Sequence, residues 1–138
     1  MKKKLALTFV CFLTYTFLFA QQRDYKVVFD VTSKDTLVHQ TAIRQMGLIA
    51  RTSPDARLEL VLFGQSLSMV IKDKSTVGEE IQKLLENKNV SFKVCAFTMQ
   101  RYKIDKSQLI TGVEIVPDGI YEIVTRQREG WGYIKVTQ

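Results

Sequence analysis

The pattern that most constrains this chain is a repeated alternation of short apolar segments with longer segments of helical periodicity. The short segments are rich in β-branched and aromatic residues, which is typical of buried strands. They lie at residues 25–31, 58–63, 90–96, 113–116 and 131–136. Strands separated by helices are joined by crossover connections, which favour a parallel sheet covered on both faces. We therefore predict a three-layer α/β/α sandwich with a five-stranded, mostly parallel sheet.

Cap residues and periodic apolar positions place helices between these strands. Asp35 or Thr36 is positioned to cap the first helix, and Ser75 or Thr76 to cap the second. A short helix is predicted directly after the third strand, and a longer one at residues 118–128. One face of this longer helix carries Ile120, Ile123, Val124 and Gln127. The glutamine is therefore expected to form hydrogen bonds within the core or across a subunit interface.

Residues 1–20 have the pattern of a cleavable secretory signal. Three lysines precede residues 5–19, which carry no charge, and Leu18 and Ala20 are tolerable residues before a cleavage site. The uncharged run is shorter than the roughly 20 residues of a membrane-spanning helix, which favours cleavage over an uncleaved anchor. We expect an exported protein, periplasmic or secreted, with one domain over residues 21–138 and no stable membrane anchor after signal removal.

Charge and residue counts exclude several functions. The three lysines of the signal account for half of the formal net charge of +6, so the mature chain is only mildly basic. A nucleic-acid surface concentrates many more basic residues, and we therefore expect no nucleic-acid partner. The mature chain keeps one histidine, His39, and one cysteine, Cys95. These are too few for a conventional zinc site, and neither a metal nor another cofactor is predicted.

Cys95 is the main candidate for chemistry because it ends the third predicted strand and precedes a short helix. A thiol there would face free backbone N–H groups and the positive end of a helix dipole, which favour the thiolate. Lys93, Arg101 and Lys103 lie near it in the sequence and would add positive charge. Most unpaired cysteines, however, are small buried core residues, so position alone leaves both interpretations open.

Several segments together resemble the DsrE/DsrF-like family of sulfur-relay proteins. The cysteine lies in residues 94–99 (VCAFTM), and a glycine ends the strand at residues 60–64 (LVLFG). Later segments are residues 112–120 (GVEIVPDGI) and 127–134 (QREGWGYI). The resemblance spans about residues 25–136. Its most specific parts are the cysteine after the third strand and the closing Gln-x-x-Gly-Trp.

The resemblance implies a compact α/β sandwich that assembles into homotrimers or hexamers. For members that carry the cysteine, it also implies a persulfide that is handed between proteins, and Cys95 matches that position. A sulfur-donor or sulfur-acceptor protein would then be a partner. The better understood members are cytoplasmic, whereas this chain is expected to be exported.

Ligands of open parallel sheets bind beyond the carboxyl ends of the strands, where three segments of this chain should meet. These segments are residues 32–36, 64–69 and 95–101. Together with the adjoining first helix they supply the cleft candidates His39, Gly64, Gln65, Ser66, Thr98 and Arg101. A lone helix histidine is more often a boundary residue, and a glycine after a strand is more often part of a plain turn.

Three functions remain open from the sequence. The first is sulfur transfer through a persulfide on Cys95. The second is a non-catalytic oligomeric module that binds a small ligand or a partner protein at the strand-end cleft. The third, a hydrolase or transferase, requires His39 within hydrogen-bonding distance of Cys95.

Overall fold

A computed structural model describes residues 24–137, and the predicted signal at residues 1–20 lies outside this range. The strands are β1 (Lys26–Val31), β2 (Arg57–Leu62), β3 (Val90–Cys95), β4 (Glu114–Val116) and β5 (Gly132–Lys135). The helices are α1 (Thr36–Thr52), α2 (Gly78–Leu85), α3 (Ala96–Tyr102) and α4 (Gly119–Arg128), with 3₁₀ turns at Ser66–Val70 and Lys106–Gln108.

The five strands form one sheet in the order β4-β3-β2-β1-β5, and every neighbouring pair is parallel. The predicted α/β sandwich is therefore confirmed, and its mostly parallel sheet is entirely parallel over the described residues. Because all strands run the same way, the loops that follow them lie along one edge of the sheet. Cys95 ends β3 at this edge, in register with Val116 at the end of β4.

The sheet face beneath α1 and α2 holds the main apolar core. Phe29, Leu60 and Phe92 lie on three adjacent strands and are fully buried, and Met46 of α1 packs against the same cluster. Full burial of side chains of this size contributes about 1.5–3 kcal/mol each. The alternation of these residues with side chains on the opposite face follows from the two-residue period of a strand.

The opposite face, beneath α4, has a small apolar cluster and several charges. Val28 and Val61 pack there against Ile123 of α4. The same face carries Glu59 and Lys93, which form ion pairs with α4. The predicted buried face of α4 is therefore wrong in part. Ile123 is buried, but the other three predicted positions, Ile120, Val124 and Gln127, are exposed because α4 turns its charged side chains toward the sheet. The side chain of Gln127 therefore forms no hydrogen bond within the core of residues 24–137, and its bond across a subunit interface stays a prediction.

The predicted caps are confirmed for α1 and corrected for α2. The Asp35 carboxylate accepts a hydrogen bond from the backbone N–H of Leu37 and caps α1. Neither Ser75 nor Thr76 is the N-cap residue of α2, which begins after Val77. Ser75 instead joins two loop positions, because its hydroxyl donates to the carbonyl of Met69 and accepts from the N–H of Val77.

Within residues 24–137, no helix is both long enough and apolar enough to cross a membrane.

Candidate functional site

Cys95 lies at the junction of β3 and α3, as the sequence predicts. It is the last residue of the strand and the N-cap residue of the helix, with extended backbone angles (φ −70°, ψ 121°). Only 5% of its surface is exposed. Alternation along β3 turns its side chain toward the α4 side of the sheet, whereas Phe92 and Val94 face the main core.

The first residue of α4, Gly119, lies directly against Cys95. A Cβ atom at position 119 would be 3.2 Å from the Cβ of Cys95 and 3.2 Å from Cγ1 of Val61. Only a glycine therefore allows this helix to approach the cysteine so closely without displacing a neighbour. As a result, α3 and α4 both begin beside Cys95, at the carboxyl ends of the neighbouring strands β3 and β4.

The other electrostatic expectations for the thiol are not met. Within the described residues, the Cys95 side chain makes no capping hydrogen bond to α3. Lys93 is engaged by Glu59 at 3.3 Å and by Glu122 at 3.2 Å, so its charge is compensated. Arg101 lies in the last turn of α3 and Lys103 is its C-cap residue, so both lie at the opposite end of that helix from Cys95. The carboxylate of Asp118 accepts hydrogen bonds from the N–H groups of Ile120 and Tyr121 and so caps α4, which leaves the uncapped amino-terminal end of α3 as the positive group beside the cysteine.

The three segments predicted to meet at the carboxyl edge of the sheet are joined by hydrogen bonds. The N–H of Gly64 donates to Oγ1 of Thr98 at 3.3 Å, and the N–H of Gln65 donates to the carbonyl of Thr32 at 3.0 Å. Gly64 has a φ of +67°, which favours glycine, and this conformation turns the chain at the end of β2. Gln65 is exposed, whereas Thr98 is buried.

Ser66 and His39 have structural hydrogen bonds in this edge. The Ser66 hydroxyl is fully buried, and its single hydrogen lies between the carbonyls of Val31, at 2.7 Å, and Phe63, at 3.0 Å, of which the nearer is the main acceptor. Nε2 of His39 lies 2.8 Å from the carbonyl of Ser33. Because a carbonyl only accepts, we assign the proton of the ring to Nε2. Both side chains therefore stabilise the loops after β1 and β2.

The structure does not bring His39 and Cys95 to the same side of the sheet. His39 is 1% exposed and belongs to α1, which covers the main core, whereas the Cys95 side chain faces α4. The sheet backbone therefore separates the two groups. This arrangement does not provide the direct hydrogen bond that a cysteine–histidine nucleophile needs.

Large apolar side chains surround the beginning of α3 and α4 and face solvent. The exposed fractions are 65% for Phe97, 60% for Ile120 and 65% for Tyr121. Phe97 lies two residues after Cys95, and Ile120 directly follows the glycine that packs on it. These three residues, which we call the apolar rim, give the surface next to the cysteine the composition of a protein-binding patch.

Sequence reasoning did not find a polar cluster at the same edge, between β1 and β5. The buried carboxylate of Asp30 accepts hydrogen bonds from the Tyr133 hydroxyl, at 2.7 Å, and from Nζ of Lys135, at 2.9 Å. Burial raises the pKa of Tyr133 to about 12, and its hydrogen bond to Asp30 acts in the same direction. An aspartate within an otherwise apolar strand predicts such a cluster, because a buried carboxylate needs hydrogen-bond or ion-pair partners.

A second unforeseen cluster links the sheet to α4. Nε of Arg126 donates to both carboxylate oxygens of Glu59, at 3.2 and 3.0 Å, and Lys93 lies 3.3 Å from the same carboxylate. Burial raises the pKa of Glu59, although Arg126 and Lys93 oppose that shift. Burial also acts against ionisation of Glu122, but the hydrogen bond and charge of Lys93 and the charge of Arg126 together outweigh it and lower the pKa of that carboxyl.

Metal-ligating side chains are not grouped in the described part of the chain. Residues 24–137 contain no cluster of three or more histidine, cysteine, aspartate or glutamate side chains that could hold a metal ion.

Comparison with known proteins gives one family and several solved structures. A model of the DsrE/DsrF-like family matches residues 26–136. The protein of unknown function MTH1491 from Methanobacterium thermoautotrophicum superposes with a TM-score of 0.76 and 28% identity, over 81% of this chain and 99% of that one. No protein of curated function matches.

Two more distant structures share the fold. The ychN protein from E. coli superposes with a TM-score of 0.67 and 15% identity, over 81% of this chain and 98% of that one. The conserved protein of unknown function BT1422 from Bacteroides thetaiotaomicron has a TM-score of 0.68 and 16% identity, over 81% and 95% of the two chains. At these identities the likeness is one of architecture.

Proposed function

The chain belongs to the DsrE/DsrF-like family, and on that premise we propose that it is an exported sulfur carrier that holds a persulfide on Cys95. The observation that carries the proposal is the position of this cysteine. It ends β3 and is the N-cap residue of α3, so the uncapped amino-terminal end of that helix lies beside the cysteine; α4 also begins there, but the Asp118 carboxylate caps it. Helix amino-terminal ends carry partial positive charge and favour an anionic sulfur, either thiolate or persulfide.

The proposed transfer involves no net oxidation. The Cys95 thiolate attacks the outer sulfur of a donor persulfide, a new S–S bond forms, and the S–S bond of the donor breaks. The donor leaves as a thiolate, and Cys95 keeps one additional sulfur atom. Delivery to an acceptor thiolate repeats the same exchange, with Cys95 as the leaving group.

The apolar rim supports delivery to another protein. Phe97, Ile120 and Tyr121 are exposed around a cysteine that is 95% covered in the single chain. Burial of such side chains against a partner is a main source of binding energy at protein interfaces. We propose a sulfur-donor or sulfur-acceptor protein as the partner on this surface, and a homotrimer or hexamer as the assembly.

The direct test is intact-mass analysis of the protein from residue 21 onward after incubation with inorganic polysulfide. We expect a mass increase of one sulfur atom that dithiothreitol removes. Cys95→Ser should show none, because residues 21–138 contain no second cysteine. Phe97→Ser is the matched variant: it should load sulfur like the wild type but transfer it more slowly to a protein acceptor. Absence of a sulfur adduct on folded wild-type protein would refute the carrier function.

Export is a separate part of the proposal and has its own measurement. Residues 1–20 should be absent from the protein recovered from the periplasm or the medium, so its first residue should be Gln21. Recovery of the intact amino terminus in the cytoplasm would contradict export without affecting the sulfur chemistry.

One observation favours a second candidate, a non-catalytic oligomeric binding module. Cys95 exposes only 5% of its surface, as expected for a packing residue. On this alternative, native Cys95 resists alkylation and reacts only after unfolding, and Cys95→Ser leaves partner binding and stability nearly unchanged. The alkylation rate of the folded protein therefore distinguishes the two functions.

A further inference from the structure

A groove between α1 and α2 lies on the sheet face opposite to Cys95 and has no part in the sulfur-carrier proposal. It encloses about 880 Å³, within the roughly 300–1,000 Å³ typical of small-molecule sites. Ile43, Val77 and Leu84 supply apolar lining, and Leu37, which is 60% exposed, extends it at one end. The groove therefore has room and apolar surface for a hydrocarbon chain.

The rim of the groove is cationic. Arg44, Arg51 and Lys83 line it together with one acidic residue, Glu80. None of the salt bridges within residues 24–137 involves any of these three cations. Lys93 and Arg126, by contrast, are paired with carboxylates on the other face of the sheet. The three cations of the groove therefore have no carboxylate partner in a salt bridge within residues 24–137.

Gly47 leaves room on α1 for the side chain of Arg51, which lies on the same helix as Arg44. The two arginines are seven residues apart, or about 10 Å along the helix. The guanidinium of Arg51 bends back along the groove, and its Nη1 lies 3.5 Å from the position that a Cβ of residue 47 would occupy. Its charge therefore lies about one helical turn from the backbone of Arg44, in the groove that both side chains line.

We propose that this groove binds a long-chain carboxylate, such as a fatty acid. The carboxylate is held by Arg44 and Arg51, while the hydrocarbon chain lies along Ile43, Val77 and Leu84. Arginine is suited to this role because its planar guanidinium forms paired hydrogen bonds with a carboxylate. The match of a cationic rim with an apolar lining is the reason for choosing an amphipathic anion over a neutral ligand.

The test is equilibrium binding of dansylaminoundecanoate, followed by its fluorescence and by displacement with unlabelled dodecanoate. We expect saturable binding to the wild-type protein and about a tenfold or greater increase in Kd for Arg44→Gln/Arg51→Gln. The matched control is Lys106→Gln/Arg128→Gln, which removes two exposed charges outside the groove and should leave Kd unchanged. Leu37→Gln should weaken binding through the apolar end of the site.

Three results would overturn the proposal. They are a lack of saturable binding by the wild-type protein, an equal Kd in the groove and control variants, and equal displacement by a cationic amphiphile such as dodecyltrimethylammonium. A change of oligomeric mass in Arg44→Gln/Arg51→Gln, measured by light scattering, would instead assign the groove to an interface between copies. Both arginines are exposed, so circular dichroism and the urea midpoint should confirm that the variants fold.

Discussion

Replacement of Arg126 by methionine tests whether the ion cluster under α4 determines stability. Glu59 is 1% exposed, and Arg126 donates to both of its carboxylate oxygens. Removal of one partner of a buried ion pair costs about 3–5 kcal/mol because the other charge is left buried without compensation. Lys93 remains 3.3 Å from the same carboxylate, so we expect the lower end of this range, about 3 kcal/mol.

The same variant has a predictable pH dependence. The pKa of Glu59 in the folded protein is raised above its usual 4.5 by burial, so its protonation favours the folded state. Stability from this group is present below the usual pKa and is lost as the pH rises through the folded value. Loss of Arg126 raises the pKa of Glu59 further, so the deficit of Arg126→Met should be largest at neutral pH. It should shrink as the pH falls toward the usual carboxyl pKa of 4.5, where Glu59 becomes protonated while Glu122, with its lowered pKa, is still ionised.

The assay is urea unfolding followed by far-ultraviolet circular dichroism at one protein concentration. The cycle of Glu59→Met, Arg126→Met and the double variant should give a coupling energy of about 2 kcal/mol. Arg57→Met is the control, because its pair with Asp24 is exposed and should be worth less than about 1 kcal/mol. A loss below about 1 kcal/mol in Arg126→Met, or a loss that does not vary with pH, would refute the reasoning.

Three further predictions concern the edge of the sheet. Gly119→Ala should destabilise the fold by about 1–3 kcal/mol and slow the alkylation of Cys95, because the new Cβ atom crowds the cysteine. An unchanged urea midpoint and an unchanged alkylation rate would contradict this prediction. Ser66→Ala should cost about 1–3 kcal/mol in urea unfolding, since it removes the donor that the buried carbonyl of Val31 accepts from, and a cost near zero would be inconsistent with that hydrogen bond. Tyr133 should titrate near 12 in ultraviolet difference spectra and closer to its usual 10.0 in Asp30→Asn; no difference between the two proteins would rule out the hydrogen bond as a cause.

Local patterns were sufficient to predict the architecture from the sequence. The strands of this sheet are short and contain apolar or aromatic residues, and each segment between them shows either helical periodicity or turn residues. The cap of α1 at Asp35 and the junction at Cys95 follow from residues adjacent in the chain, which is why both positions are confirmed. The meeting of the loops after β1, β2 and β3 follows from the parallel sheet itself.

What could not be predicted depends on residues that are distant in the sequence. The buried face of α4 was wrong because the helix turns Glu122 and Arg126 toward Glu59 and Lys93, and periodicity treats such residues as solvent-facing. Likewise, Cys95 and His39 lie on opposite sides of the sheet for two reasons. The alternation of side chains along β3 turns the cysteine toward one face, and α1, which carries the histidine, covers the other face. A single charged residue within an apolar strand, such as Glu59, is the available signal for this kind of pairing.

The separation of the two sheet faces makes the two proposed sites independent, and this can be measured. Cys95 faces α4, whereas Arg44 and Arg51 line the groove between α1 and α2, with the apolar core and the sheet between them. Residues without shared partners usually contribute additively, within about 0.5 kcal/mol. Cys95→Ser should therefore leave the Kd for dansylaminoundecanoate unchanged within about twofold, and Arg44→Gln/Arg51→Gln should leave sulfur loading of Cys95 unchanged. Loss of sulfur loading in Arg44→Gln/Arg51→Gln, with its fold intact, would show that the two sites are coupled. Such coupling would require that the side chains of the core between them have two alternative packings.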